Sequence, residues 1–433
     1  MEESLPITIL ISATVAAGIA AQVLAGYFHI SSIVLLLLFG ILLGRDGFGF
    51  LDPSLLGIGL EVVVSLSVAL ILFEGGLNLQ LGELKEVFSS LRNLVTLGVL
   101  ITLTGAGIAA HWLSEFPWSI AFLYASLVVV TGPTVINPLL KQIGVEKKIS
   151  TLLEGEGVFI DPVGAILAVI VLHFVLSGNV EPLILIKGLV WRLGIGVVIG
   201  IAGGCLLSQI IKQDQFLSQE LKNLVVLASV WGLFSFAQVL RSESGLVVAV
   251  FMGIVLRANN LPSEALLRRF NQQLSILANS VLFILLAADL SIASVFALGW
   301  GSVLTVLVLM LIVRPINIFV STWNQDLNWQ EQLFLSWVAP RGIVAASLAS
   351  VFAVSLTKQG INGGDSIKAL VFLTIIMTVF FQGLTAGWVA SLLDLRLVDQ
   401  IDQDCLQATN DDDDVNSQKD VTKNSFTSEL IES

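Results

Sequence analysis

The chain has 433 residues, of which 55% are hydrophobic and 12% charged, with a formal net charge of −12. Soluble domains carry about 25% charged residues, and here apolar runs of about 18 residues or more recur along the chain. A soluble enzyme, a fibrous protein and a nucleic-acid binder are thereby excluded, and solid apolar blocks in place of alternation exclude an outer-membrane β-barrel.

In chain order, the N-terminus reads Met1-Glu2-Glu3-Ser4, without the basic stretch of a signal peptide, so the first hydrophobic segment is expected to be retained. Breaks at Gly, Pro, Asn and charge clusters then divide the chain into about thirteen apolar segments, near 6–27, 30–47, 57–79, 93–113, 118–143, 154–177, 184–211, 221–240, 243–257, 272–291, 296–321, 330–356 and 366–393. The expected fold is an all-α polytopic membrane protein, with the lipid bilayer as its surroundings and a transmembrane domain over residues 1–397. Residues 398–433 include Asp411 to Asp414 and lack the apolar surface needed to fold, so they are expected to form a disordered tail. Cys205 lies in an apolar run and Cys405 in the tail, which implies no disulfide. Loops after odd-numbered segments hold ten Lys and Arg against five after even-numbered ones. The cytoplasmic excess of basic residues then puts the N-terminus outside and the tail in the cytoplasm, in a plasma or internal membrane.

Two segments carry interruptions. The fifth reads Thr131-Gly132-Pro133-Thr134, and the twelfth Pro340-Arg341-Gly342. Proline removes a backbone donor and clashes with the preceding turn, and unwound backbone is tolerated at membrane depth only when packed in protein or lining a cavity. The two segments are seven apart and therefore run in opposite directions. Paired broken helices in corresponding positions of inverted repeats point to the midplane site of a secondary transporter.

Charges in apolar runs each need a reason, because an ionisable side chain at the bilayer centre costs about 2.5–3.5 kcal/mol on insertion scales. They are Glu74 in the third segment, Glu154, Glu156 and Asp161 in the sixth, Arg314 in the eleventh and Arg341 in the twelfth. Gly157 and Asp161 share a helix face, whereas Glu156 and Asp161 are about 140° apart at 3.6 residues per turn. One face of the sixth segment can thus offer Asp161 to a cavity while another offers Glu156 to a buried cation such as Arg314, neutralising two charges that neither could bury alone. A carboxylate withdrawn from water binds a proton or a metal cation, and not both at once, which is sufficient for exchange. Alkali cations take oxygen ligands, and the candidates are Asp161, Glu74 and carbonyls freed where the fifth segment unwinds at Thr131. Arg341 either caps broken-helix carbonyls or faces substrate. His173, Arg192, Asp289 and Glu243 read as satisfied or interfacial. No nucleotide-binding loop, Cys/His cluster or catalytic triad is visible, so neither a cofactor nor an enzymatic activity is expected.

Five pieces, in order and on the appropriate segments, carry a resemblance: Leu72-Phe73-Glu74-Gly75-Gly76-Leu77, Thr131-Gly132-Pro133-Thr134, the run Glu156 to Asp161, Arg314-Pro315, and Pro340-Arg341-Gly342. Over about residues 6–395 the chain resembles the bacterial monovalent cation:proton antiporters of the sodium/proton exchanger type. The resemblance implies a homodimer of thirteen-helix protomers, two crossed unwound helices in a core domain, and elevator-like motion of that core against a dimerisation domain. It implies exchange of Na⁺, or K⁺ or Li⁺, for H⁺. Asp161 matches the family's ion-binding aspartate, Glu156 and Arg314 its buried ion pair, and Glu74 an acid that helps hold the cation in some members. Three departures stand out: Ile160 precedes the essential aspartate where Asn or a second Asp is usual, Gly132 replaces an acid in the first break, and Gly157 stands where a serine hydroxyl often sits. With only one of the paired positions acidic, one-for-one exchange is the expectation. The runner-up readings are an uncoupled cation channel and an organic-anion symporter of similar fold.

Overall fold

The structure, a computed structural model, describes residues 4–28, 30–177, 182–213, 218–259, 261 and 264–396. The stretch expected to form an acidic tail lies outside the described residues. The described chain is built of α-helices, and its only β pairing is an isolated bridge between Val145 and Arg396. In hydrocarbon each backbone N–H and C=O must be satisfied within the protein, and a helix does this within one segment.

The helices are α1 Ser4–Phe28, α2 Ser32–Leu43, α3 Ile58–Asn78, α4 Leu81–Asn93, α5 Val99–Leu113, α6 Trp118–Val128, α7 Pro133–Ile143, α8 Lys147–Ser177 and α9 Pro182–Gln213. They continue with α10 Gln219–Leu240, α11 Ser244–Ala258, α12 Glu264–Ala288, α13 Ile292–Ala297, α14 Gly299–Val308, α15 Arg314–Ser321, α16 Trp329–Trp337, α17 Ile343–Lys358 and α18 Gly364–Leu392. Among the described residues nine helices are long and apolar enough to cross a membrane, and four shorter apolar ones accompany them: Ser32–Leu43, Trp118–Val128, Ser244–Ala258 and Ile343–Lys358.

Three helices begin well before the apolar segments that announce them. The fourth segment is the second half of a continuous helix over Leu81–Leu113, the sixth starts at Lys147, and the tenth at Glu264. Charged residues end an apolar run without ending a helix. In α4, Leu84, Val87 and Leu91 recur at helical spacing and are buried, while Lys85, Glu86 and Arg92 share the remaining faces.

Small residues set the helix spacing. A methyl group at Gly76 of α3 would overlap Val250 O of α11, and one at Gly253 of α11 would overlap Phe73 O of α3. On α9, Gly196, Gly200 and Gly204 present a stripe to α11, with their Cβ positions 2.7 Å from Ser244 O, 2.9 Å from Val248 O and 3.3 Å from Met252 O. Lipid supplies no hydrophobic force between helices, so close backbone approach of this kind holds them together. A large core runs through α2, α3, α6, α8, α11, α12, α17 and α18, and a second, smaller core joins α4, α7, the first half of α8, α16 and the end of α18.

Two helices widen into a single π turn, Leu94–Gly98 between α4 and α5 and Leu309–Val313 between α14 and α15. The second lies directly ahead of Pro315, whose missing N–H and ring clash with the preceding turn account for it. The two helices are seven segments apart, as are the broken helices, in keeping with an inverted repeat.

Candidate functional site

Two breaks meet at the centre of the molecule. Helix α6 ends at Val128 and α7 begins at Pro133; α16 ends at Trp337 and α17 begins at Ile343. Proline at the first position of α7 suits a helix start, where its N–H would be unpaired in any case. The stretches between the halves cross at two glycines. A Cβ on Gly342 would lie 2.5 Å from Gly132 Cα, and Gly132 N donates to Pro340 O at 3.3 Å. Only a residue without a side chain permits this approach.

The unwound backbone finds partners in three places. The Arg341 guanidinium donates to Val128 O and, at 3.2 Å, to Val129 O, so it caps the open end of α6. Arg314, from α15, donates through Nε to Leu335 O at 3.3 Å and through Nη2 to Val338 O at 3.4 Å, capping the open end of α16. A cation at a helix C-terminus also meets the negative end of its dipole. From α18, Gln382 Oε1 accepts from Ala339 N at 3.1 Å and Thr378 Oγ1 from Arg341 N at 3.2 Å. One turn further, Thr374 Oγ1 and the Tyr124 hydroxyl of α6 lie 2.8 Å apart. Thr374, Thr378 and Gln382 are spaced four apart and thus form one polar stripe along α18.

Glu156 of α8 and Arg314 form a two-pronged ion pair, with Arg314 Nη2 at 2.8 Å from Glu156 Oε2 and Nη1 bonded to Oε1. Glu156 is fully buried and Arg314 is 2% exposed, so each is the charge that makes burial of the other tolerable.

Asp161 occupies a different face of α8. A Cβ at Gly157 would lie 3.0 Å from Pro133 N, and one at Gly164 would overlap the Val130 side chain. Positions 157, 161 and 164 share one face of the helix, so Asp161 is carried between two glycines that press against the extended break Val130–Pro133. It is 1% exposed, and its Oδ1 has no hydrogen-bond partner among the described residues; the same holds for Oγ1 of Thr131 in the break. Pro162 follows, so the helical bond to Val158 O is also missing. Buried polar oxygens without a partner are costly, and these two are carried by α8 and by the break that packs against it.

Glu74 lines a cavity together with Pro133. Helix α3 reaches α8 where Gly75 meets Val158. Glu74 Oε1 accepts from Asn78 Nδ2 at 3.1 Å, and its side chain lines a cavity of about 210 Å³ whose wall includes Pro133 and Asn137 and does not include Asp161. A larger cavity, about 800 Å³, opens at the opposite end of α3, walled in part by Glu61, Val68, Leu172, Val344 and Lys368. In its wall, Asp289 and Lys368 pair at 2.5 Å.

Thr378 and Gln382, which hold the crossing, went unnoticed in the sequence. Their only signal there was a four-residue spacing of neutral polar residues in an apolar run.

Residues 9–392 match the family model described as sodium/hydrogen exchanger, transmembrane. The low-affinity Na⁺/H⁺ antiporter NhaS1 of Synechocystis is 28% identical over 80% of this chain and 67% of its own length. The K⁺/H⁺ antiporter NhaP2 of a Shewanella strain is 24% identical over 84% of this chain and 63% of its own length. The sodium proton antiporter MjNhaP1 of Methanocaldococcus jannaschii has a solved structure that superposes with a TM-score of 0.79 at 21% identity, covering 88% of this chain and 100% of that one. The chain is an integral membrane protein that belongs to the sodium/hydrogen exchanger family.

Proposed function

We propose that this chain exchanges a monovalent cation for a proton across a membrane by alternating access, with Asp161 holding cation and proton in turn. The observation that carries the reading is the position of Asp161: buried, its Oδ1 without a partner, and set by Gly157 and Gly164 against the unwound strand at Thr131. Asp161, the Thr131 hydroxyl and freed carbonyls supply the oxygen ligands that an alkali cation takes, and Glu74 assists from the neighbouring cavity. The Glu156–Arg314 pair and Arg341 hold the crossing and do not ligate. The two cavities at opposite ends of α3 are, in this reading, the alternate entrances to the Asp161 site.

The relatives support Na⁺ as the first substrate with K⁺ as the alternative, since one is named for Na⁺/H⁺ exchange and another for K⁺/H⁺ exchange. The proposal extends to thirteen crossings over residues 1–397, an external N-terminus, a cytoplasmic tail over residues 398–433, a homodimer, and a bacterial plasma or internal membrane. In that orientation the larger cavity faces outward.

The test is proton movement in everted vesicles or proteoliposomes under an imposed pH gradient, with Na⁺, K⁺ and Li⁺ added separately. Cation addition should collapse the gradient, and Asp161→Asn should abolish the effect. Cation flux without proton movement would replace exchange by an uncoupled channel, and exchange that survives in Asp161→Asn would move the site to Glu74.

A further inference from the structure

Helices α4–α5 and α14–α15 run antiparallel and are stitched together along their length by small and neutral polar residues. Asn93 Nδ2 donates to Ser321 O at 3.0 Å, Asn317 Nδ2 to Thr102 Oγ1 at 3.0 Å and Thr305 Oγ1 to Ala109 O at 3.3 Å, while the Ser114 and Thr305 hydroxyls lie 2.8 Å apart. Within the same seam, a methyl at Gly105 would lie 2.9 Å from the Val313 side chain. Both π turns fall inside it, Leu94–Gly98 on one helix and Leu309–Val313 on the other. Asn317 stands where they meet. Its Oδ1 accepts from Ser321 Oγ at 3.1 Å, and a methyl at Gly98, the last residue of the first π turn, would overlap its amide. Asn317 and Thr102 are 2% and 4% exposed, and Ser321 is fully buried.

A π turn lets one extra residue into the helical ladder. At 3.6 residues per turn, that residue rotates everything after it by about 100°. Arg314 is the residue whose backbone N–H closes the second π turn, on Leu309 O. The direction in which its guanidinium leaves the helix, toward Glu156 Oε2, Leu335 O and Val338 O, is therefore set by that turn. Pro315 opens the ladder by lacking an N–H, but a missing bond fixes nothing in place. The hydrogen bond that ties α15 to α5 comes from Asn317, three residues on from Arg314 and on nearly the same face. Between helices in lipid, polar side-chain bonds and close packing of small residues are what hold the pair together.

We propose that Asn317 is a positioning residue for the exchange: by pinning α15 to α5 beside the two π turns, it holds the register that aims Arg314 at Glu156 and at the open end of α16. The proposal rests on the exchange reading and adds to it a residue that acts through another. Asn317 bonds to Thr102 and Ser321, whereas the cation ligands stand on α8 and in the first break. Its loss alters how the crossing is held, and not how the cation is bound. The expected signature is a lower maximal rate at an unchanged KM.

The test is a double-mutant cycle of Asn317→Leu with Glu156→Gln in the full chain, read both in proteoliposomes under an imposed pH gradient and in thermal unfolding. Asn317→Leu should cut the maximal rate about tenfold, the scale of one or two buried hydrogen bonds, with KM within about twofold of wild type. In the Glu156→Gln background the same substitution should cost less than about twofold more, because Arg314 has already lost the partner at which it is aimed. The melting temperature should show the same non-additivity. Thr102→Val keeps the shape of the threonine and carries the cycle if Asn317→Leu is not monodisperse. Costs that multiply across the cycle, a wild-type rate in Asn317→Leu, or a raised KM at an unchanged rate would overturn the assignment and leave the exchange reading standing. Wild-type vesicles without cation-dependent proton movement would overturn the exchange reading instead, and the melting cycle would still decide whether Asn317 aims Arg314.

Discussion

Replacing Glu156 by Gln tests whether the charge on α8 is what allows Arg314 to lie at the crossing. The side chains are nearly isosteric, so packing is preserved and the carboxylate charge alone is removed. Arg314 cannot shed its proton. It keeps its bonds to Leu335 O and Val338 O, but the charge is 2% exposed and its counter-ion is gone. Breaking a buried pair by removing one partner costs about 3–5 kcal/mol. At about 2.1 cal/mol/K per residue over roughly 390 residues, each kcal/mol moves Tm by a little over 1 °C, so Glu156→Gln should melt about 4–6 °C below wild type. Glu156→Leu/Arg314→Met removes both charges and should recover most of that loss, short of about 1–3 kcal/mol for the two carbonyls left uncapped. Thermal unfolding followed by size-exclusion of the detergent-solubilised protein measures both. A Glu156→Gln shift under about 1 °C would refute the argument, as would a double variant that loses the sum of its two single changes.

Three further expectations follow from the crossing and the site. Gly342→Ala places a methyl 2.5 Å from Gly132 Cα, so it should abolish exchange and cut the yield of monodisperse protein; wild-type vesicle activity would show that the helices part more easily than their contact implies. Gln382→Leu leaves Ala339 N without its acceptor and should cost about 1–3 kcal/mol in thermal stability, with a full-strength Tm counting against it. If cation and proton compete for Asp161, lowering the pH over the acid limb raises the proton's occupancy there. The apparent KM for cation should then rise about tenfold per pH unit at constant maximal rate, whereas a fixed KM with a falling rate would exclude direct competition.

The membrane class and the two breaks were readable because their signals are of kinds that apolar helices avoid: proline beside glycine, and charge in hydrocarbon. Thr131-Gly132-Pro133 and Pro340-Arg341-Gly342 stand out for that reason. The candidate charges could be located in the same way, but what each one touches could not. Of the two readings open for Arg341, the geometry has its guanidinium on Val128 O and Val129 O. Thr378 and Gln382 were passed over because neutral polar residues cost little in a helix that can absorb them. The π turn at Leu94–Gly98 has no proline to announce it. The starts of α8 and α12 were set too late because a charged residue marks the edge of the bilayer and says nothing about the end of a hydrogen-bonded helix. Glu74 was legible as a charge in an apolar run and through its motif, but its bond from Asn78 and its place in the wall of the smaller cavity were not.

The glycine contacts that join α3, α9 and α11 have a consequence for where substitutions are tolerated. At Gly76, Gly196, Gly200 and Gly253 the neighbouring backbone occupies the space a methyl would need, so even alanine forces a whole helix aside. Val198 and Leu206 on the outer face of α9 are 67% and 62% exposed and admit almost any apolar replacement. Saturation mutagenesis of α9 should therefore give a tolerance profile that alternates around the helix, with no relation to side-chain chemistry on the inner face. Slow amide exchange should mark α11, the helix gripped from both sides, as the last part of the molecule to open.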